Sequence, residues 1–186
     1  MDGPSEMAAY PRFADLRPNV SPVDAPLSGH LEQIFLALNQ VAFGGSLFKL
    51  QACDGCLAAA DLSQRVVFID PGFVDRLGSI ARTAEERDLF LEFVMAHELG
   101  HYIFELAAQA NGYSTKGNPS YRLLRDSGFR CDQNRQESHA EVDEIGLNLL
   151  KKRGWPRPER ALARLLRELN FACDGKLRAT RMSSHP

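Results

Sequence analysis

The residues with the clearest chemistry form one five-residue segment, His97-Glu98-Leu99-Gly100-His101. The surrounding pattern predicts a helix, on which residues four apart lie one turn above each other, so His97 and His101 can reach one zinc ion. Glu98 lies about 100° further round the helix, where its carboxylate can take a proton from a zinc-bound water. This spacing predicts a zinc site with a general base beside it.

Two histidines do not hold a catalytic zinc, and a third protein ligand is needed. Metzincins place it six residues after the second histidine, but that position is Ala107, which excludes their usual spacing. The other common solution uses a second helix. The candidate segment is Glu137-Ser138-His139-Ala140-Glu141-Val142-Asp143-Glu144-Ile145-Gly146.

The two segments together resemble the gluzincins, and among them the HtpX-like and CAAX-prenyl-protease group with its small soluble relatives. That group carries His-Glu-x-x-His on one helix and Glu-x-x-Ala-Asp or Glu-x-Glu-Ala-Asp on a later helix, often followed by Gly. Its first Glu is the third zinc ligand, and its Asp supports a zinc-bound histidine. Aligning Asp143 and Gly146 with this pattern places His139 where the family has the ligand glutamate. The resemblance covers roughly residues 30–170, but only the two motifs are specific.

The resemblance implies a zinc-dependent metallopeptidase that hydrolyses peptide bonds of a protein or peptide substrate. Its zinc ligands would be His97, His101 and His139, with Asp143 behind a ligand imidazole and Glu98 activating the zinc-bound water. Histidine is a sound zinc ligand, so the departure from the family keeps a complete set. Glu141 and Glu137 remain alternative third ligands. A non-catalytic zinc-binding regulatory domain is the alternative function, because the third ligand is altered and no oxyanion donor is assigned.

The segment Cys53-Asp54-Gly55-Cys56 is a Cys-x-x-Cys pair. Candidate strands flank it, so we expect buried or hairpin-end cysteines rather than a redox motif at a helix N-terminus. Asp54-Gly55-Cys56-Leu57 also resembles the Glu-Gly-Cys-Leu-Ser motif of peptide deformylases, in which the cysteine binds the metal. In that less favoured alternative Cys56, and not His139, completes the metal site. The glycine-rich N-terminal motif of deformylases is missing.

Composition narrows the class of protein. The 186 residues carry 22 Lys and Arg against 24 Asp and Glu, a net charge of −2. A protein without a basic field is a poor ligand for nucleic acid, so no nucleic-acid partner is expected. Neither a signal peptide nor a membrane-length apolar run is visible, and four cysteines fit a reducing compartment. These features predict a cytoplasmic protein, and they leave the oligomeric state open.

The elements that must position the motifs follow from caps and periodicity. Residues 1–27 are proline-rich and predict an N-terminal arm, and Ser28 caps a helix to about Ala42. Candidate strands cover residues 47–53, 57–62 and 65–70, the last of them closed by Pro71-Gly72. Thr83 and Glu86 form a capping box for the motif helix, which should run to about Ala108.

Helices over about 136–153 and from Pro158 to about Asn170 complete the pattern, and residues 174–186 form a polar tail. The predicted class is α+β and zincin-like. A small, mostly antiparallel sheet would pack on the active-site helix, with a mainly helical C-terminal half. We expect one metallopeptidase domain over residues 28–173.

Overall fold

A computed structural model of the chain describes residues 21–110 and 136–168, without the side chains of residues 108–110, 136–140 and 166–167. Four strands and five helices lie within these ranges. In chain order they are β1 (Ser21–Pro22), α1 (Gly29–Phe43), β2 (Lys49–Asp54), β3 (Ala58–Asp61), β4 (Val66–Ile69), α2 (Pro71–Ile80), α3 (Ala84–Ala110), α4 (Gln136–Lys152) and α5 (Glu159–Glu168). The mixed α/β class is therefore confirmed.

The first helix, α1, begins and ends at the residues that the sequence indicates. Ser28 Oγ accepts a hydrogen bond from the Leu31 N–H at 3.2 Å, which satisfies one of the unpaired donors of the first turn. Gly44 ends the helix in the left-handed region at φ 72°, where a residue without a Cβ is favoured. The apolar residues of one helix face are buried against the core: Leu31, Ile34, Phe35 and Leu38.

The sheet has the strand order β1-β2-β4-β3. Its outer pairings, β1 with β2 and β3 with β4, are antiparallel, as the predicted mostly antiparallel sheet requires. The central pairing of β2 with β4 is parallel, from Lys49 opposite Val66 to Ala52 opposite Ile69. Within the described part of the chain, β3 lies at one edge of the sheet. The same edge strand packs against α3.

Side chains alternate between the two faces of this sheet, as the pleat requires. Ala60, Val67 and Ile69 point into the main core, which they share with buried residues of all five helices. Cys53, Ala59 and Phe68 form a separate small cluster. The sheet therefore has one face directed to the motif helix and another that carries the cysteine pair.

Helix α2 was not predicted, because Pro71-Gly72 was taken to indicate only the end of a strand. Asp70 is the N-cap: its Oδ1 accepts a hydrogen bond from the Gly72 N–H at 2.8 Å. Proline is well tolerated at the first helical position, where its missing N–H would have no partner anyway. Phe73 and Leu77, one turn apart, bury the helix against the core. Asp-Pro followed by this spacing was the available signal.

The N-terminal arm is also not free of regular structure. Ser21–Pro22 form β1, which pairs with Asp54 and Cys53 at the edge of β2. A short edge strand tolerates proline because the missing N–H removes only one ladder bond. Residues 1–20 of the arm and the predicted tail lie outside the described residues. No helix in the described part of the chain is long and apolar enough to cross a membrane.

Candidate metal centre

The long helix α3 carries the motif and begins as predicted. Thr83 Oγ1 accepts the Glu86 N–H at 3.0 Å, and Glu86 Oε2 accepts the Arg82 N–H at 2.6 Å, so the capping box is confirmed one residue wider than its usual form. Because this start is fixed, His97 and His101 lie one turn apart on a defined face. Both are buried, with 7% and 8% of their surface exposed.

The two imidazoles are already spaced for one ion. Their ring centroids are 4.9 Å apart and the rings are nearly perpendicular, with an interplanar angle of 85°. Two imidazoles that share one tetrahedral zinc, each with a Zn–N bond of about 2.1 Å, place their ring centres roughly 5 Å apart. The pair therefore fits a zinc ion without a large rearrangement. Glu98, between them in sequence, is also buried, at 7% exposure.

Asp143 of α4 meets His97 across the helix interface. Its Oδ1 lies 2.7 Å from His97 Nδ1, and both residues are buried. The sequence predicted a contact of Asp143 with a ligand imidazole without choosing which, and in the structure its partner is His97. An imidazole whose Nδ1–H donates to a carboxylate carries the lone pair of its other nitrogen on Nε2, the arrangement found behind many metal ligands.

Electrostatics of this buried pair favour retention of its shared proton. Burial lowers the pKa of His97, but the hydrogen bond to Asp143, the charge of Asp143 and the charge of Glu98 outweigh it, and the pKa lies above its ordinary value. Burial also raises the pKa of Asp143 to about 6, against the opposing effect of His97. Both shifts keep a proton between Nδ1 and Oδ1.

Two glycines bring the helices together at this level. A Cβ at Gly100 would lie 3.0 Å from the Val142 carbonyl oxygen, and a Cβ at Gly146 would lie 3.2 Å from the His97 backbone nitrogen. Both distances are shorter than ordinary van der Waals contact, and the atoms met are backbone atoms that cannot rotate away. This close approach explains why glycine stands inside both helices, where it costs about 1 kcal/mol relative to alanine.

The contacts between α3 and α4 define an antiparallel register. Gly100 meets Val142, His97 meets Gly146, and further back Glu92 meets Arg153. As one helix advances by a turn, its partner runs back by a turn. Residue 139 precedes Asp143 by one turn of α4, and His101 follows His97 by one turn of α3. Residue 139 therefore has the same place in the register relative to His101 as Asp143 has relative to His97.

Buried Glu92 joins α3 to the residues that directly follow α4, and it was not predicted from the sequence. Its Oε1 accepts a hydrogen bond from Arg153 Nε at 2.7 Å, and its Oε2 accepts one from Trp155 Nε1 at 2.9 Å. The carboxylate is only 2% exposed. The available signal was one acidic residue inside the apolar run Leu89-Phe90-Leu91-Glu92-Phe93, because a charge in such a run needs a partner.

The structure describes only some of the other predicted site residues. Glu141 is half-buried on α4, and the side chains of His139 and Glu137 lie outside the described residues. Among the described side chains, no three His, Cys, Asp or Glu residues form a group that could hold a metal. Tyr102, directly after the motif, packs edge-on against the rings of Phe43 and Phe48.

Cys53 and Cys56 are joined by a disulfide in the structure, with their Cα atoms 6.0 Å apart. They lie where β2 passes into β3, so the expected placement between strands is confirmed. A metal-bound cysteine must be a thiolate. The disulfide and a metal bound at Cys56 therefore exclude each other, and a deformylase-like site would need the reduced pair.

No family model matches the chain, and neither a curated protein nor a solved structure similar to it was found.

Proposed function

We propose that this chain is a zinc-dependent metallopeptidase with a zincin-like fold, related to the gluzincin pattern that its two motifs resemble. The observation that carries the proposal is the buried contact of 2.7 Å between His97 Nδ1 and Asp143 Oδ1. A histidine pair at zinc spacing on one helix is thereby backed by a carboxylate from a second helix. Two helices that only pack together need no polar pair at their interface, because apolar contacts avoid the cost of burying polar groups.

The proposed ligands are His97, His101 and His139. The antiparallel register supports His139 as the third ligand, because residue 139 has the same place relative to His101 as Asp143, which contacts His97, has relative to His97. Glu141 is two residues further along α4, about 200° round the helix from residue 139, so these two positions do not share a face. Glu137 and Glu141 remain the alternatives that metal analysis of variants separates.

Zinc, when bound, supplies Lewis acidity that polarises the scissile carbonyl and acidifies an adjacent water. Glu98 then takes a proton from the attacking water and delivers it to the leaving amine. Its position in the buried floor of the site keeps the carboxylate out of bulk solvent. Asp143 holds the His97 ring in one orientation, through the Nδ1 contact, during the reaction.

A protein or peptide substrate in extended form is the proposed partner. β3 is the edge strand next to α3, and its sequence Ala58-Ala59-Ala60-Asp61 has small side chains that allow a second backbone to approach. An extended peptide that pairs with this edge would pass over the motif helix. The cytoplasmic location remains a prediction from the sequence.

Glu98→Gln tests the proposal. We expect the variant to keep wild-type zinc content and to cleave quenched peptides or an unfolded protein at least 100-fold more slowly, because the general base is lost. Glu85→Gln removes a charge from the exposed start of the same helix and is the matched control. Cleavage by Glu98→Gln at the wild-type rate would refute the mechanism. Zinc binding without any turnover by the wild type would favour the non-catalytic regulatory alternative.

A further inference from the structure

Asp70 joins the Cys53–Cys56 turn to helix α2. Asp70 Oδ2 accepts the Gly55 N–H at 2.8 Å, and its own N–H donates to the Leu57 carbonyl at 2.8 Å. The second carboxylate oxygen, Oδ1, caps α2. Edge strand β3 begins at Ala58, directly after this turn. Whatever changes the turn therefore acts on the first residues of β3.

The two sulfurs differ in access. Cys53 is 1% exposed within the small cluster on the outer sheet face, whereas Cys56 is half-buried. An incoming thiolate can therefore reach Cys56 first and leave Cys53 as the departing sulfur. The turn also holds the backbone of Leu57 at φ 59°, a region that non-glycine residues rarely occupy.

We propose that the Cys53–Cys56 pair is a reversible redox site whose reduction by a dithiol loosens the start of edge strand β3. One thiolate of the dithiol attacks Cys56 Sγ, a mixed disulfide forms, and Cys53 leaves as a thiolate that takes up a proton. The second thiolate of the dithiol attacks its own sulfur in the mixed disulfide and releases Cys56, which is protonated in turn. The dithiol becomes a disulfide, and the protein gains two electrons and two protons.

The cysteine pair acts as a regulatory site of this protein and does not catalyse thiol exchange. Catalytic Cys-x-x-Cys pairs lie at helix N-termini or beside cations, which stabilise the thiolate. Here the turn lies between strands β2 and β3, and neither cysteine opens a helix. Its consequence for catalysis rests on the proposed function: if β3 binds the extended substrate, the oxidised form is the more active one.

Thiol trapping and amide exchange test the redox site without any activity assay. In a Cys131→Ser/Cys173→Ser background, the protein is equilibrated in dithiothreitol buffers of graded potential, quenched with acid and labelled with a maleimide. We expect two labels at the reducing end, none at the oxidising end, and a reversible transition between them. The exchange of amides in residues 56–61 should follow the same transition. A cross-link that closes a loop of four residues restrains local opening by at most about 20-fold, so exchange should accelerate up to that factor on reduction.

Cys53→Ser and Cys56→Ser should hold this segment at the fast rate in every buffer, and amides of α1 serve as the internal control. Two labels under oxidising conditions, or an exchange rate in residues 56–61 that is the same in both forms, would overturn the proposal. Peptide hydrolysis is measured on the same samples. If no hydrolysis occurs in either form, the proposed peptidase function fails, while the labelling and exchange results still decide the redox site.

Discussion

Replacing Gly100 by alanine tests whether the close approach of α3 and α4 holds the site together. The added Cβ would lie 3.0 Å from the Val142 carbonyl oxygen and 3.3 Å from Val142 Cγ1. The two helices must separate by a few tenths of an ångström to accept it. Overpacking of this kind costs about 1–3 kcal/mol, whereas alanine gains about 1 kcal/mol over glycine in helix propensity. The expected net change in the free energy of unfolding is a loss of about 1 kcal/mol.

Gly78→Ala is the matched control, because this glycine also lies inside a helix, α2. Its added Cβ would be 3.6 Å from Arg87 Cδ, the nearest atom, which is ordinary contact with a flexible side chain. We expect this variant to gain about 0.5–1 kcal/mol. The two variants should therefore differ by about 2 kcal/mol, or roughly 4–8 °C in Tm for a chain of this size.

Urea unfolding followed by circular dichroism measures this difference, and zinc titration against a competing chelator measures its effect on the site. Val142 is adjacent to Asp143, so separation of the helices lengthens the Asp143–His97 contact and should weaken zinc binding in Gly100→Ala alone. If Gly100→Ala were as stable as Gly78→Ala and bound zinc as the wild type does, the claimed helix contact would be refuted.

Three further changes have expected outcomes. Glu92→Gln should lower the free energy of unfolding by about 2 kcal/mol in urea, because Arg153 loses its buried charge partner; no loss would contradict the buried pair. Burial raises the pKa of Glu86, but the hydrogen bond and charge of Arg164 outweigh it and hold the pKa below its ordinary value of 4.5. The unfolded chain then binds more protons, so this stabilisation is present above pH 4.5 and is lost as the pH falls below it. Glu86→Gln should therefore reduce the dependence of the free energy of unfolding on pH in that range. Asp143→Asn should weaken zinc binding 10- to 100-fold in chelator competition, and an unchanged affinity would remove its orienting role.

Local patterns predict most of the helices, because caps and stripes depend on neighbours in sequence. Ser28 and Gly44 bound α1, and the Thr83 capping box starts α3. The same kind of pattern was available for α2, and Asp70 before Pro71 shows that a proline can open a helix as well as close a strand. Such errors are local and correctable.

Pairings between distant segments are the part that one sequence does not supply. The β-branched and aromatic run before Pro71-Gly72 predicts that residues 65–70 form a strand, but not that β4 lies between β2 and β3 with a parallel neighbour. The Glu92–Arg153 ion pair spans 61 residues and belongs to no motif. For the His97–Asp143 contact, at a separation of 46 residues, the family resemblance predicted only that Asp143 would meet a ligand imidazole, and not which one.

Metal analysis of the purified protein, beside His139→Ala and Glu141→Ala, tests the central claim that α3 and α4 hold one zinc between them. Under non-chelating conditions we predict about one zinc per wild-type chain, retention in Glu141→Ala and loss in His139→Ala. A wild-type protein without metal, or full zinc content in His139→Ala with loss in Glu141→Ala, would contradict the proposed site.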